Sequence, residues 1–161
     1  MFRRASAIDA AGIEPRMIEL EFTEGALIEY SSAVSKAVKS LKTLGVATAL
    51  DDFGTGYSSL SYLRHFPIDT LKIDRAFVRD IASKSGGNAP LVDAIIAMAK
   101  SLGLATVAEG VETETQWQYL KTRDATQVQG FLFCRPLAIV DLQRWHADWL
   151  HSRQSDAVGV A

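Results

Sequence analysis

The sequence predicts an α/β protein with a parallel sheet, because short apolar strands alternate with helices along its 161 residues. Helical crossovers between such strands place them side by side in one parallel sheet, with helices on its outer faces. A polar side chain also stands near the carboxyl end of each strand, as in α/β proteins that carry a site there. Five strand-helix units are expected, with strands at 17–22, 46–50, 68–74, 104–108 and 126–129.

Composition limits the possible functions. The chain has 48% hydrophobic and 22% charged residues and a formal net charge of -2, as in one globular domain or less. This charge argues against a protein that binds long nucleic acid, which needs many contacts from Lys and Arg. The single Cys134 excludes an internal disulfide and fits a reducing compartment. There is no apolar run of membrane-spanning length and no signal peptide, so we expect a cytoplasmic protein.

The helices are predicted from apolar periodicity and from the residues that begin and end them. Asn88 is expected to cap one helix, and Thr113 with Gln116 has the spacing of a capping box. The domain is expected to occupy residues 1–151, followed by a flexible tail at 152–161. Helices are expected at 3–11, 31–44, 58–64, 77–82, 88–102, 113–121 and 138–151, with a surface excursion at 83–87.

The stretch 50–60 contains the strongest chemical signal. Asp51 and Asp52 close an apolar strand, and Gly54 and Gly56 follow in a loop. Adjacent carboxylates repel each other unless a proton or a cation neutralises them, and hard cations prefer anionic oxygens. The glycines allow the loop to fold back over such a cation. One of the aspartates could instead cap the next helix, but two in succession favour a cation site.

The polar residues at the strand ends are expected to lie together, because parallel strands end at the same side of the sheet. Each one alone also has a structural explanation, such as a surface carboxylate or a lysine at the rim with a buried stem. Five strand ends in succession favour a site over five separate explanations. The residues are Glu21, Asp51, Asp52, Lys72, Glu109 and Gln129.

The carboxylates of this set indicate the metal and leave the reaction open. Oxygen ligands without histidine suit Mg²⁺ or Mn²⁺ better than Zn²⁺. Two cations about 3.5–4 Å apart would hold a phosphodiester, activate water and stabilise the leaving oxygen. Lys72 could then orient the water or neutralise the phosphate. An enolase-type reaction, in which a lysine removes a proton beside metal ions, uses the same parts.

Five segments in a fixed order carry a family resemblance. They are Glu21-Phe22-Thr23-Glu24, Asp51-Asp52-Phe53-Gly54-Thr55-Gly56-Tyr57-Ser58-Ser59-Leu60, Leu71-Lys72-Ile73-Asp74-Arg75, Ala108-Glu109-Gly110-Val111-Glu112-Thr113 and Gln129-Gly130-Phe131. Their order and spacing resemble the motifs of the bacterial EAL domain family from about residue 12 to residue 137. The resemblance implies a TIM-type (β/α)8 barrel with one strand reversed. It also implies a cyclic di-GMP phosphodiesterase that forms pGpG with two Mg²⁺ or Mn²⁺.

The resemblance further implies roles for the charged residues. Glu21 and Asp51 would ligate metal, with Asp51 bridging the two ions. Asp52 and Glu109 would serve the second metal. Lys72 would hold the catalytic water, and Glu109 would act with it in catalysis.

The remaining motif residues are assigned in the same way. Gln129 would lie near the catalytic water or the phosphate and count as both catalytic and substrate-binding. Asp74 and Phe131 would line the nucleotide pocket. Glu24 would hold the loop 53–59, with its two glycines, in its working shape.

The sequence departs from the family pattern at its start. The tripeptide Glu-Ala-Leu occurs nowhere, and Glu24-Gly25-Ala26-Leu27 only approaches it. That glutamate ligand and an asparagine ligand on the next strand would lie before residue 1. The five units correspond to the fourth through eighth of a barrel, so we expect an incomplete TIM-type (β/α)8 barrel.

An incomplete barrel leaves two sheet edges and an apolar inner face uncovered. We therefore expect either a fragment of a longer protein or association through the open edge, as a homodimer or with a partner. Hydrolysis by this chain is expected to be impaired. The alternatives are an inactive cyclic di-GMP receptor or interaction module, and a purely structural half-barrel.

Overall fold

The structure, a computed structural model, describes residues 2–25, 32–54, 66–81 and 87–158. Five strands form one sheet in the order β1-β2-β3-β4-β5, and every neighbouring pair is parallel. The predicted parallel α/β sheet is therefore confirmed. The strands are β1 (Glu19–Thr23), β2 (Ala47–Phe53), β3 (Thr70–Ile73), β4 (Ala105–Ala108) and β5 (Gln127–Val128).

Helices separate most of the strands, as the periodicity predicts. The predicted helix 58–64, Gly56 and most of the segment 83–87 lie outside the described residues. No helix in the described part is both long enough and apolar enough to cross a membrane. The helices are α1 (Phe2–Ala11), α2 (Ser32–Thr43), α3 (Arg75–Arg79), α4 (Ala89–Ser101), α5 (Glu114–Lys121) and α6 (Ile139–Val158), with a 3-10 turn at Pro15–Met17.

The core lies between the sheet and the helices. All four residues of β3, the middle strand, are buried, as expected for a parallel strand with both faces covered. Leu91, near the start of α4, and Leu102, directly after its end, are exposed. The buried residues of α4 are Val92, Ile95, Ile96 and Ala99.

The bounds of all five strands differ from the predicted ones by a few residues, and the difference in the second strand shapes the site. The first strand does not begin at Met17, because Met17 N donates to Glu14 O at 2.9 Å in a 3-10 turn. The second strand does not end at residue 50 but runs on to Phe53, with a register shift against β3. Asp51 and Asp52 therefore lie within the strand and not in the loop that follows it.

The helix starts show which capping predictions hold. The Thr113–Gln116 capping box is confirmed, with Gln116 N donating to Thr113 Oγ1 at 3.3 Å. Asn88 occupies the predicted N-cap position of α4, but its side chain makes no capping hydrogen bond and donates to Ala76 O at 3.1 Å instead. The helix expected at 77–82 begins earlier, since the Asp74 carboxylate accepts from Ala76 N and caps α3. The closing helix continues to Val158.

Candidate metal and nucleotide site

Four charged side chains meet at the carboxyl end of the sheet. Lys72 extends from β3, and its Nζ lies 2.8 Å from Glu21 Oε1, 3.0 Å from Asp51 Oδ1 and 2.8 Å from Glu109 Oε1. Glu21 comes from β1, Asp51 from β2, and Glu109 directly follows β4. Parallel pairing of the four strands brings these distant residues together. We call Lys72 and its three carboxylate partners the ionic cluster.

Lys72 is almost fully buried, with 7% of the residue exposed. Burial alone would lower the pKa of Lys72, but the contacts with Glu109, Glu21 and Asp51 outweigh it and raise the pKa above its usual value. With these three contacts in place, Lys72 carries its proton at neutral pH and can donate hydrogen bonds to the carboxylates.

Asp51 has the least satisfied carboxylate of the ionic cluster. Its Oδ1 is buried, and its 3.0 Å contact with Lys72 Nζ lacks hydrogen-bond geometry. A buried carboxylate oxygen without a hydrogen-bond donor is costly unless positive charge is close. Asp51 Oδ1 thus has the environment expected of an atom that binds a cation.

Asp52 stands beside the ionic cluster in an unusual backbone conformation. Its φ is 54°, in the left-handed region that non-glycine residues enter at a cost. Burial, and then the negative charges of Asp51 and Asp74, raise the pKa of Asp52 above its usual value. Asp52 and Asp74 thus add negative potential to the same end of the sheet.

The predicted nucleotide-binding residues lie outside the ionic cluster. Gln129 follows β5, and its backbone N donates to Ala108 O at 2.9 Å, next to Glu109. Phe131 is half exposed, and the Arg135 guanidinium lies 4.6 Å from the centre of its ring. The sequence pattern gave no role to Arg135, because residues 131–135 are not in a helix and no local periodicity indicates this contact.

The predicted loop residues lie near the acidic strand end. Glu24, which directly follows β1, is buried with 6% of the residue exposed. Gly54 has φ +96°, and a Cβ there would lie 3.0 Å from Phe77 Cε2. Gly54 therefore has both a conformational and a steric reason to be glycine.

Gly130 holds the loops after β4 and β5 in close contact. A Cβ on Gly130 would lie 2.1 Å from Val111 O, which is far inside contact distance. Val111 N donates to Gln129 O at 3.0 Å, and Leu132 N donates to Val111 O at 3.0 Å. The motif pointed to Gly130 by sequence, but its steric role depends on this long-range contact.

The donor set fits a hard divalent cation. The three carboxylates carry three negative charges and Lys72 one positive charge, so the ionic cluster retains a net charge of -2. Carboxylate oxygens are the ligands that Mg²⁺ and Mn²⁺ prefer. As they stand, however, no three His, Cys, Asp or Glu side chains of the described residues are grouped to hold a metal ion.

Known proteins share both the sequence and the fold. The EAL domain family model matches residues 2–136. The chain is 45% identical over 139 residues to the cyclic di-GMP phosphodiesterase NbdA of Pseudomonas aeruginosa. That match covers 86% of this chain but only 18% of NbdA.

Two solved structures extend the comparison. The EAL domain of Mycobacterium smegmatis DcpA superposes with a TM-score of 0.82 at 39% identity, over 90% of this chain and 65% of that chain. BlrP1 of Klebsiella pneumoniae, solved as a manganese and cyclic di-GMP complex, gives a TM-score of 0.72 at 39% identity. The BlrP1 match covers 81% of this chain and 33% of the BlrP1 chain. With the five parallel strands, these matches confirm the prediction of an incomplete TIM-type barrel.

Proposed function

Since the chain belongs to the EAL domain family, we propose that it forms part of the active site of a cyclic di-GMP phosphodiesterase. The meeting of Glu21, Asp51 and Glu109 at one point carries this proposal. NbdA is named as such an enzyme, and BlrP1 was solved with manganese and the dinucleotide, which supports the same ligands here. The product would be the linear dinucleotide pGpG, formed when water cleaves one phosphodiester bond of cyclic di-GMP.

The proposed metal ligands are the four carboxylates at the ends of β1, β2 and β4. Glu21, Asp51, Asp52 and Glu109 would hold Mg²⁺ or Mn²⁺, two ions in a complete site. When bound, such ions neutralise the phosphate and make water more acidic. The carboxylates would hold the ions in fixed positions on the rigid sheet, so that a phosphate bound by those ions would need little further ordering to reach the transition state.

Lys72 and Gln129 would act on the reacting oxygens. Lys72 is protonated and directs its N–H groups toward the carboxylate end of the sheet, so it can donate to the attacking water or to a phosphate oxygen. Gln129, which follows β5, would donate to the phosphate. Formation of pGpG requires that the bond between phosphorus and a ribose 3′ oxygen breaks and that this oxygen takes up a proton.

Phe131 and Asp74 would bind the nucleotide. The half-exposed ring of Phe131 offers a face on which guanine can stack, and Arg135 lies against the same ring. Asp74 lies next to Asp52 and would accept hydrogen bonds from the guanine edge. Glu24 and Gly54 would keep the loop after β2 in place over the nucleotide.

Hydrolysis by this chain alone should be slow, because the sequence lacks the Glu-Ala-Leu glutamate and an asparagine ligand. Asn88 is the one asparagine in the sequence, and its side chain donates to Ala76 O. Chromatography of cyclic di-GMP incubated with the chain and Mn²⁺ tests the proposal. Slow formation of pGpG that is lost in Asp51→Asn supports it, and undiminished turnover in that variant contradicts it.

A receptor without turnover is the second candidate. The contacts of Lys72 favour it, because the ammonium group neutralises part of the carboxylate charge that would otherwise attract a metal ion. Calorimetry with cyclic di-GMP, with and without Mn²⁺, separates the candidates. A receptor binds the intact dinucleotide without metal, whereas the enzyme needs metal and yields pGpG.

We further propose that the domain associates through its open sheet edge, as a homodimer or with another segment. In the described residues β1 and β5 each pair on one side only. A cavity of about 800 Å³ beside β5 is lined in part by Trp117, Phe133 and Trp145. Light scattering on a size-exclusion column tests this, and a stable monomer at every concentration contradicts it. The unpaired Cys134 fits a cytoplasmic location for the assembly.

A further inference from the structure

We infer that Lys72 acts as a displaceable internal cation: its ammonium group neutralises the three carboxylates when no divalent cation is bound, and it must withdraw for one to bind. This inference rests on the proposed metal site, and it assigns to Lys72 control over how tightly that site binds metal. The control is separate from any contact that Lys72 makes with water or phosphate.

The first argument is the number and direction of the contacts. An ammonium group has three N–H donors, and Lys72 Nζ lies within 3.0 Å of three carboxylate oxygens that belong to β1, β2 and the residue after β4. Divalent metal ions bind carboxylate oxygens at about 2.0–2.6 Å, so they need the same oxygens around the same point. The ammonium and a metal ion cannot share that point.

The second argument is charge. With Lys72 in place the ionic cluster still carries a net charge of -2, and Asp52 and Asp74 lie nearby. The ammonium therefore holds the carboxylates together without cancelling their attraction for a divalent cation. Without it, three carboxylates at one point would repel each other strongly.

The third argument is that Lys72 can move without a change in the backbone. Its charge stands at the end of a flexible four-carbon stem on the central strand, so side-chain rotation can shift Nζ while the backbone stays fixed. The contact with Asp51 is the longest of the three at 3.0 Å and lacks hydrogen-bond geometry. Asp51 Oδ1 is therefore the oxygen from which displacement would start.

Nuclear magnetic resonance of lysine ammonium groups tests the inference in the unmodified chain. Mg²⁺ is titrated into ¹⁵N-lysine protein while calorimetry measures its binding. We expect the Lys72 signal to shift in proportion to bound Mg²⁺, as its three contacts are lost. Lys42, paired with Asp69, and Lys100, paired with Asp124, are internal controls whose signals should stay. Bound Mg²⁺ with an unmoved Lys72 signal overturns the inference.

A variant pair gives an independent measurement. Lys72→Met should bind Mn²⁺ about ten-fold or more tightly than the unmodified chain, a factor equivalent to roughly 1.4 kcal/mol. The matched control Lys42→Met removes a lysine paired with a carboxylate at the opposite end of β3 and should leave Mn²⁺ affinity unchanged. Equal affinity in Lys72→Met and the unmodified chain, or no binding by either, overturns the inference. If Lys72→Met does not fold, the resonance experiment decides.

The proposed function fails in a different way. If Mg²⁺ displaces Lys72 but the chain neither binds nor cleaves cyclic di-GMP, the inference about Lys72 is supported and the proposed function is contradicted. If the chain cleaves the dinucleotide while the Lys72 signal does not shift, the proposed function is supported and the inference about Lys72 is contradicted.

Discussion

Glu109 is tied to β3 by both its backbone and its side chain. Its N donates to Ile73 O at 3.0 Å, and its Oε1 lies 2.8 Å from Lys72 Nζ. Two adjacent residues of β3 therefore fix this carboxylate just beyond the end of β4. Such a carboxylate is placed before any ligand arrives, which is the property that a metal or catalytic group requires.

Glu109→Gln should weaken Mn²⁺ binding by about 100-fold or more, since loss of an outer-shell partner alone costs about 10–100-fold in metal affinity. Calorimetry measures the affinity, and chromatographic detection of pGpG measures the activity. Glu112→Gln, an exposed glutamate three residues away, is the matched control and should behave like the unmodified chain. Normal Mn²⁺ affinity in Glu109→Gln would remove this residue from the proposed ligand set.

Asp69 should stabilise the fold in a pH-dependent way. Burial favours a higher pKa for Asp69, but hydrogen bonds from Lys42 and Thr48 outweigh it and lower the pKa below its usual value. A lowered folded-state pKa means that the stabilisation is complete above the unfolded pKa of about 3.9. It is then lost as the pH falls through the folded-state value.

Asp69→Asn should therefore reduce the free energy of unfolding by about 1 kcal/mol at pH 7, a modest value because the side chain is 41% exposed. The difference from the unmodified chain should shrink below about pH 4. Urea denaturation at several pH values measures both effects. The control Asp124→Asn removes an exposed partner of Lys100 and should change stability little. A difference that grows toward acid pH would refute the assignment.

Gly130→Ala should destabilise the fold by about 1–3 kcal/mol or more, as expected for overpacking. The added methyl group would stand 2.1 Å from Val111 O, so the loops after β4 and β5 would have to separate. Thermal denaturation followed by circular dichroism measures the loss. Gly25→Ala is the matched control, because nothing lies within 4 Å of a Cβ at that glycine. Equal melting temperatures for the two variants would show that the loops can adjust freely.

Gln116→Ala should destabilise the fold by about 1–3 kcal/mol, because the buried side chain satisfies backbone groups of two segments. Its Oε1 accepts from Glu112 N at 2.8 Å and from Thr113 N at 2.9 Å, while its Nε2 donates to Arg79 O at 3.2 Å. Denaturation by urea gives the free energy of unfolding. Gln118→Ala, which removes an exposed contact with Glu114, should cost only a few tenths of a kcal/mol.

The sequence was sufficient where local chemistry decides the structure. The strands and helices follow from apolar periodicity, and the Thr113–Gln116 capping box follows from two residues three positions apart. Parallel topology followed from the alternation of strands with helices. The strand-end carboxylates identified the candidate site, because every parallel strand brings its carboxyl end to the same side of the sheet.

Only the tertiary structure decided how those residues interact. The continuation of β2 through Asp51 and Asp52 depends on its register with β3, which no local pattern records. The Asn88 side chain donates to Ala76 O and makes no capping hydrogen bond, and this contact with another segment is likewise not visible in the local sequence. Lys72 could be placed near the carboxylates by sequence, but its contact with all three at once depends on distances between four strands. Sequence thus determined which charges share one end of the sheet, and three-dimensional packing determined that one ammonium group lies among them, because contact distances between separate strands are set only when the sheet forms.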